Sequence, residues 1–406
     1  MSRSQSIWHV HAPDWPVRPP LTAAQRVEAE VVVIGAGVCG AGAVHSLHHA
    51  GVDVVWLDAG RVAGEATGRN AGFILQGTAE RYDRAVALMG RVRARAVHGV
   101  SVDNHARMRA VIQELGLVEH CGYARRGSLQ LAGGPLEEDE LRTSARWLAA
   151  DGFAAEILDE SQLPDSLRAA GYRMAVLLPE DGELDPVRFV RGVARHAVDR
   201  GVRLFEDSPV VDLVAPTPGE VRVRTQSGGE VRAQLALVCT NARAGGLVPW
   251  LSDIVEPVRG QMLSTEPAPP HTFPIPIYAD HGYDYWRQRD DGRIVLGGWR
   301  NLDPGAEVGH QDLLHEGIQE RMTRFVRSFP GLADLRIEHR WSGTMGFSRD
   351  GLPVVGPVPG LPGALAAVGF TGHGFGFAWL AGEALAGLVV DGRHLVAELL
   401  GSGRLR

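Results

Sequence analysis

The chain has 406 residues, 45% of them hydrophobic, enough for two or three domains with sizeable cores. Its net charge of −7 is spread out with no basic run, which argues against a nucleic-acid partner, and no apolar stretch reaches the length of a membrane span. All 41 basic residues are arginine, so a lysine Schiff base is excluded.

The cysteines, Cys39, Cys121 and Cys239, are too separated for a disulfide framework or a CxxC metal site, and they suit a reducing compartment. The N-terminal stretch lacks the apolar core of a signal peptide, so a soluble, cytoplasmic protein without a membrane partner is expected. Residues 1–30 read as a polar, proline-bearing arm.

Val31 to Asp58, VVVIGAGVCGAGAVHSLHHAGVDVVWLD, then reads as strand, glycine turn, helix and second strand. The β-branched run Val31–Ile34 suits a parallel strand buried on both faces, and Gly35, Gly37 and Gly40 follow at the dinucleotide-binding spacing. Gly35 permits the tight turn, Gly37 admits a pyrophosphate to the backbone, and Gly40 lets helix and strand pack closely. The helix N-terminus faces the phosphates with partial positive charge, and Asp58 stands where an acid accepts the ribose 2′-OH. A bound dinucleotide is expected. His45, His48 and His49 are expected on the solvated face of this helix, with no metal site.

Gly60 to Gly77 is a small-residue loop placed to run over a ligand, and the apolar spacing is helical from Arg81 to about Glu119. GSLQLAG reads as a strand and Glu137 to Ala150 as a helix. Asp185 caps a helix from Pro186 to Arg200. VRLFEDSPVVDLV, EVRVRTQSG and EVRAQLALVCTNA read as a β-meander returning to a buried strand. Beyond Pro257 the pattern is antiparallel, with a hairpin at Asp291-Gly292 and a helix from about Leu313 to Phe329. Two apolar strands, a glycine turn and an apolar helix close the chain. The expected class is α/β: a Rossmann-like nucleotide domain from residues 31–80, 184–242 and 340–406, with an inserted α+β substrate domain carrying an antiparallel sheet from 81–183 and 243–339.

In this order GAGVCG, GEATGRNAG, VVDL with LALVCTNA, PVRGQM, DGRIVLGG, WSGTMGFSRDGLPVVGP and GFTGHGFGFA resemble the FAD-dependent D-amino acid oxidase superfamily, which includes glycine oxidase, sarcosine oxidase and gamma-glutamylputrescine oxidase. The resemblance implies FAD. It also implies that Thr67, Gly68, Arg69, Asn70, Ala71 and Gly72 pass under the pyrophosphate and beside the flavin, that Val210 holds the adenine, and that Thr240 and Asn241 close over the cofactor. Gly372, His373, Gly374 and Phe375 would present a helix N-terminus to the flavin N1–C2=O edge. The flavin-linking cysteine of sarcosine-oxidase-like members has no counterpart near Gly343, so FAD is expected to be noncovalent. Met345 stands where glycine oxidases place a carboxylate-binding arginine, and Gly376 near the corresponding sarcosine oxidase lysine. An amino-acid substrate would then need Arg259, Arg287 or Arg300.

The resemblance implies oxidation of the C–N bond of an amine or N-substituted amino acid to an imine, by hydride transfer to flavin N5, with O2 reoxidising the flavin to give hydrogen peroxide. The alternatives are a dehydrogenase using another electron acceptor and a non-catalytic flavin-binding partner protein. Tyr283, Tyr285 and Trp286 are candidate pocket walls. With no lysine present, His373 and Arg300 are the candidate cations for oxygen activation.

Overall fold

Residues 4–405 are described in a computed structural model of the protein. The N-terminal arm is packed: α1 (Ile7–Val10) and β1 (Arg26–Glu28) bracket a stretch whose Ile7, Trp8 and Leu21 are buried. The fingerprint folds as read, into β2 (Val31–Ile34), α2 (Val38–His49) and β3 (Val54–Leu57). After β4 (Phe73–Ile74), one helical pattern gives two helices, α3 (Tyr82–Met89) and α4 (Arg91–Glu114), because Gly90 turns the chain at φ +79. Next come β5 (Ser128–Leu131), α5 (Pro135–Ala150), β6 (Glu156–Asp159), α6 (Asp165–Ala169), β7 (Met174–Leu178) and β8 (Gly182–Glu183).

The Asp185 side chain accepts the amides of Val187 and Arg188 and so starts α7 (Pro186–Asp199) as expected. The meander expected beyond it is divided. β9 (Arg203–Phe205) enters one sheet, β10 (Val210–Thr217), β11 (Glu220–Thr225) and β12 (Glu230–Ala233) join β1 in a second, and β13 (Leu235–Val238) returns to the first. The chain continues through α8 (Pro249–Ser252), β14 (Val255–Pro267), β15 (Ile277–Ala279), β16 (Asp284–Gln288) and β17 (Arg293–Gly298). Gly292, at φ +84, lies in the turn of the β16–β17 hairpin. α9 (Glu316–Arg327) starts later than the apolar pattern suggested because the His315 side chain caps it at the Ile318 amide. β18 (Ile337–Ser348), β19 (Val354–Pro357), β20 (Ala364–Val368), α10 (Gly374–Val390) and α11 (Leu395–Leu400) follow.

The six-stranded sheet has the order β19-β20-β13-β2-β3-β9, and every pairing in it is parallel except that of β19 with β20. Every residue of β2 and β3 is buried, as a strand covered on both faces requires. α2 and α10 cover one face in close contact: a Cβ at Gly382 would lie 2.1 Å from the Cys39 carbonyl oxygen. The eight-stranded sheet, β18-β14-β17-β16-β15-β5-β7-β6, is antiparallel except where β15 meets β5. The boundary expected at residue 340 falls inside β18, which pairs with β14 along almost its whole length and lies in this second sheet.

His45 departs from the expected solvated face: it is 9% exposed and its ring lies 5.5 Å from that of Trp379. Among the described residues no single helix is long and apolar enough to cross a membrane.

Candidate active site

Three strands of the six-stranded sheet end side by side, and their exits carry residues expected to hold a dinucleotide. After β2, Gly35 turns at φ +108, and a Cβ there would lie 2.7 Å from the Cys239 carbonyl oxygen. A Cβ at Gly40 would lie 1.9 Å from the Gly35 oxygen, so only glycine lets α2 begin this close to β2. At the N-terminus of α2, Val38 N–H donates to Thr67 Oγ1 at 3.1 Å, while the amides of Gly37 and Cys39 have no acceptor among the described residues. Asp58 accepts Ala36 N–H at 2.6 Å and Gly60 N–H at 2.8 Å, so it also fixes the glycine turn, a role its spacing does not reveal. Burial pushes its carboxyl up to about 6 against the pull of those amides.

After β13, Thr240 Oγ1 is buried without a hydrogen-bond partner among the described residues. Asn241, at φ +44, accepts Gly369 N–H at 2.9 Å and ties the exit of β13 to that of β20. Val210 opens β10 opposite Thr225 and packs against the apolar cluster that includes Val32 and Val55 of the nucleotide sheet.

The loop 66–72 connects this floor to a cavity. Gly68 is required, since a Cβ there would lie 2.1 Å from the Ala63 carbonyl oxygen, and Gly72 turns at φ +75 with its amide held by Asn70 Oδ1 at 2.7 Å. Arg69 donates to the Ser342 carbonyl oxygen at 2.5 Å and pairs with Asp312 at 2.8 Å, locking the loop to β18. Beyond the loop lies an open cavity, and Arg69, Asn70, Ala71, Tyr285, Arg300, Gly343, Gly372, His373, Gly374 and Phe375 line it. Thus the 66–72 loop, the face of the eight-stranded sheet and the N-terminus of α10 meet there. The amides of Gly374 and Phe375 donate to no acceptor among the described residues, and a Cβ at Gly374 would meet no atom within 4 Å.

Tyr285 and Tyr278 stack at 5.5 Å and 20°, with Phe73 5.9 Å from the Tyr278 ring. Tyr278, Phe73, Gln130, Glu137, Arg81 and His281 line the cavity and were not singled out from sequence. An aromatic residue on a short strand before the Asp280–Gly282 turn was the available signal for Tyr278. Trp286 is not a wall. It is one residue from Tyr285 on the same strand, so it faces the other side of the sheet, 1% exposed among Phe273, Phe325 and Phe329. Tyr283 is not on the wall either; its ring supports the Arg300 guanidinium at 4.6 Å.

Arg300 lies 5.2 Å from the Phe347 ring and has no ion pair or hydrogen bond among the described residues. The other guanidinium groups on the cavity are engaged, Arg69 with Asp312 and Arg81 with Asp83 and Glu140. Arg259 and Arg287 are buried and committed, to Glu307 at 3.5 Å and to Glu183 at 3.1 Å, so they do not supply the expected anchor. The exposed edge of His373 faces the cavity, and desolvation there lowers its pKa to about 4. The ring is neutral near pH 7, so it does not carry the positive charge expected of it.

A Rossmann-like sheet whose strand exits present free amides and tight glycine turns, opening into an aromatic cavity over a second sheet, defines a dinucleotide-dependent oxidoreductase. The chain belongs to the family of FAD-dependent oxidoreductases, whose model matches residues 30–388. It is 26% identical over 381 residues to gamma-glutamylputrescine oxidoreductase of Escherichia coli K12, covering 90% of this chain and 84% of that protein. It is 26% identical over 375 residues to glycine oxidase of Bacillus licheniformis, covering 90% and 94%. The fold matches the crystal structure of glycine oxidase from Geobacillus kaustophilus with a TM-score of 0.77 at 21% identity, over 93% of this chain and 99% of the other. The cofactor is FAD, and the residues fit it: the acceptor-free amides of α2 and α10 and the unpartnered Thr240 hydroxyl are donors that a dinucleotide takes up.

Proposed function

We propose that the protein oxidises the C–N bond of an amino acid or N-substituted amino acid to an imine, which water then hydrolyses, and that Arg300 holds the substrate carboxylate. FAD, when bound, supplies the hydride acceptor. The observation that carries this reading is Arg300 itself, a cavity guanidinium with no acid partner among the described residues. A carboxylate at Arg300 would leave the amine among Tyr278, Tyr285, Phe73, Met262 and Met345. Such surroundings favour the neutral amine from which hydride can leave, without a dedicated base. His373 Nδ1 lies 3.4 Å from the Thr371 carbonyl oxygen; with Nδ1 donating there, Nε2 remains an acceptor that can orient the amine N–H.

The glycine turns, Asp58, residues 67–72, Val210, Thr240, Asn241 and residues 372–375 are assigned to FAD on the same grounds, with noncovalent attachment. A Cβ at Gly343 would meet Arg69 Cβ at 2.9 Å, so a flavin-linking cysteine does not fit there with the loop in place. For the electron acceptor we favour O2, with Arg300 providing the positive charge that reduced oxygen needs; the absence of lysine gives weight to a dehydrogenase as the second reading. The free cysteines accord with a cytoplasmic protein.

The test is anaerobic bleaching of the flavin absorbance by a panel of amino acids and their decarboxylated amines, followed by admission of air with oxygen uptake and peroxide recorded. Amino acids should bleach it. Arg300→Gln should lower kcat/KM for them by about 10- to 150-fold, the range for one hydrogen bond to a charged group, and leave amines unchanged. Equal losses on both classes would remove Arg300 from carboxylate binding, bleaching that air does not reverse would favour the dehydrogenase, and no bleaching at all the non-catalytic reading.

A further inference from the structure

At the far end of α2 from the glycine turn, His45 and His49 stand one helical turn apart beside Glu114, the last residue of α4. One ligand atom from each of the three lies within 4.8 Å of the others. His49 Nδ1 is 2.8 Å from the His45 backbone oxygen, and since a carbonyl only accepts, this nitrogen carries the proton. The other ring nitrogen, Nε2, is turned toward Glu114 Oε1 at 3.1 Å. A backbone carbonyl holding Nδ1–H is the arrangement that orients a metal-binding imidazole.

His45 adds a second observation. Its side chain is nine-tenths buried, and neither ring nitrogen has a hydrogen-bond partner among the described residues. The last turn of α2 and the last residue of α4 also bring two helix C-termini, each with partial negative charge, to one place. The other charged or titratable groups facing it are His48, His196, Arg107 and Arg200.

We propose that His45, His49 and Glu114 form a binding site for a borderline divalent cation, Zn2+ before all, that clamps the C-terminal end of α2 to α4. Two imidazoles and a carboxylate are the ligand types this ion takes, with its remaining position left to water. The residue after His45 is Ser46, so the helix lacks the acid that a metal-dependent hydrolase places there, and the site is structural.

The experiment uses the protein as purified with its FAD, stripped of metal by a chelator. Zn2+ is titrated by calorimetry, Co2+ is followed by its visible absorption, and melting is recorded with and without Zn2+. We expect one ion per chain, a higher melting temperature with Zn2+, and a loss of affinity of roughly tenfold or more in His49→Ala and in Glu114→Gln, but none in His48→Ala. His49 and Glu114 are exposed, so these variants keep the packing that a substitution at the buried His45 would disturb. No Zn2+ binding, or binding that Glu114→Gln leaves unchanged, would overturn the proposal, the latter because it reduces the site to an ordinary surface histidine pair.

Discussion

Asp58, half-buried, and Asp181, fully buried, are carboxylates with different work. Asp58 joins the glycine turn to the end of β3, and in the proposed complex it meets the ribose. We expect Asp58→Ala to weaken FAD binding by about 1.5–3 kcal/mol, measured from the fluorescence of released FAD; unchanged affinity would remove it from the cofactor site. Asp181 accepts from Ser128 Oγ at 2.6 Å and Gln76 N–H at 2.9 Å, yet burial still raises its pKa to about 7. Its folded-state pKa therefore lies above its unfolded one, so its contribution to stability is full below about pH 4 and is lost as pH rises through about 7. Asp181→Asn should flatten the fall in melting temperature between about pH 4 and pH 7; a variant with the wild-type slope would assign that fall elsewhere. The sequence marked Asp58 through its spacing from the glycines. It gave no sign of Asp181, because nothing local distinguishes a buried acid from a solvated one. Tyr285 and Trp286 show the same limit: strand alternation puts them on opposite faces, but only the packed sheet decides which face meets the cavity.

Elements with strong local signals were legible. The β-branched runs of β2 and β3 needed no tertiary information, and Asp185 with Pro186 announced the start of α7. Pairing was not legible. β9 and β13 lie in the parallel sheet while the strands between them lie elsewhere, a partition made by long-range partners rather than by residue type. Nor did the glycines of α10 announce their role. Gly382 and Gly42 let α10 and α2 approach backbone to backbone; a Cβ at Gly382 would also lie 2.7 Å from Ala43 N. We expect Gly382→Ala to destabilise the protein by roughly 1–3 kcal/mol or more, because the crowding falls on helix backbone that cannot step aside. Denaturant unfolding measures it, and a midpoint within error of wild type would show that the helices separate freely.

Across the whole molecule, the first described residues act on the site from the outside. Ser6 Oγ donates to the Gly68 carbonyl oxygen at 2.6 Å and Trp8 Nε1 to that of Asn70 at 2.6 Å, so α1 straps the loop that borders the cavity. Arg287 and Arg289 lie 5.0 and 4.9 Å from the Trp8 ring. Trp8→Ala should cost about 3–5 kcal/mol as a buried large-to-small change and should speed FAD release. Stopped-flow displacement of FAD separates the effects, since lowered stability with unchanged release would make the strap a packing element alone. The cavity's cations, Arg69, Arg81 and Arg300, are all guanidinium groups. Hydrolysis of the proposed imine leaves an aldehyde or a keto acid, electrophiles that condense with the ε-amines of lysine. Guanidinium resists that condensation near neutral pH, so the walls hold positive charge yet stay inert to the carbonyl compound released against them.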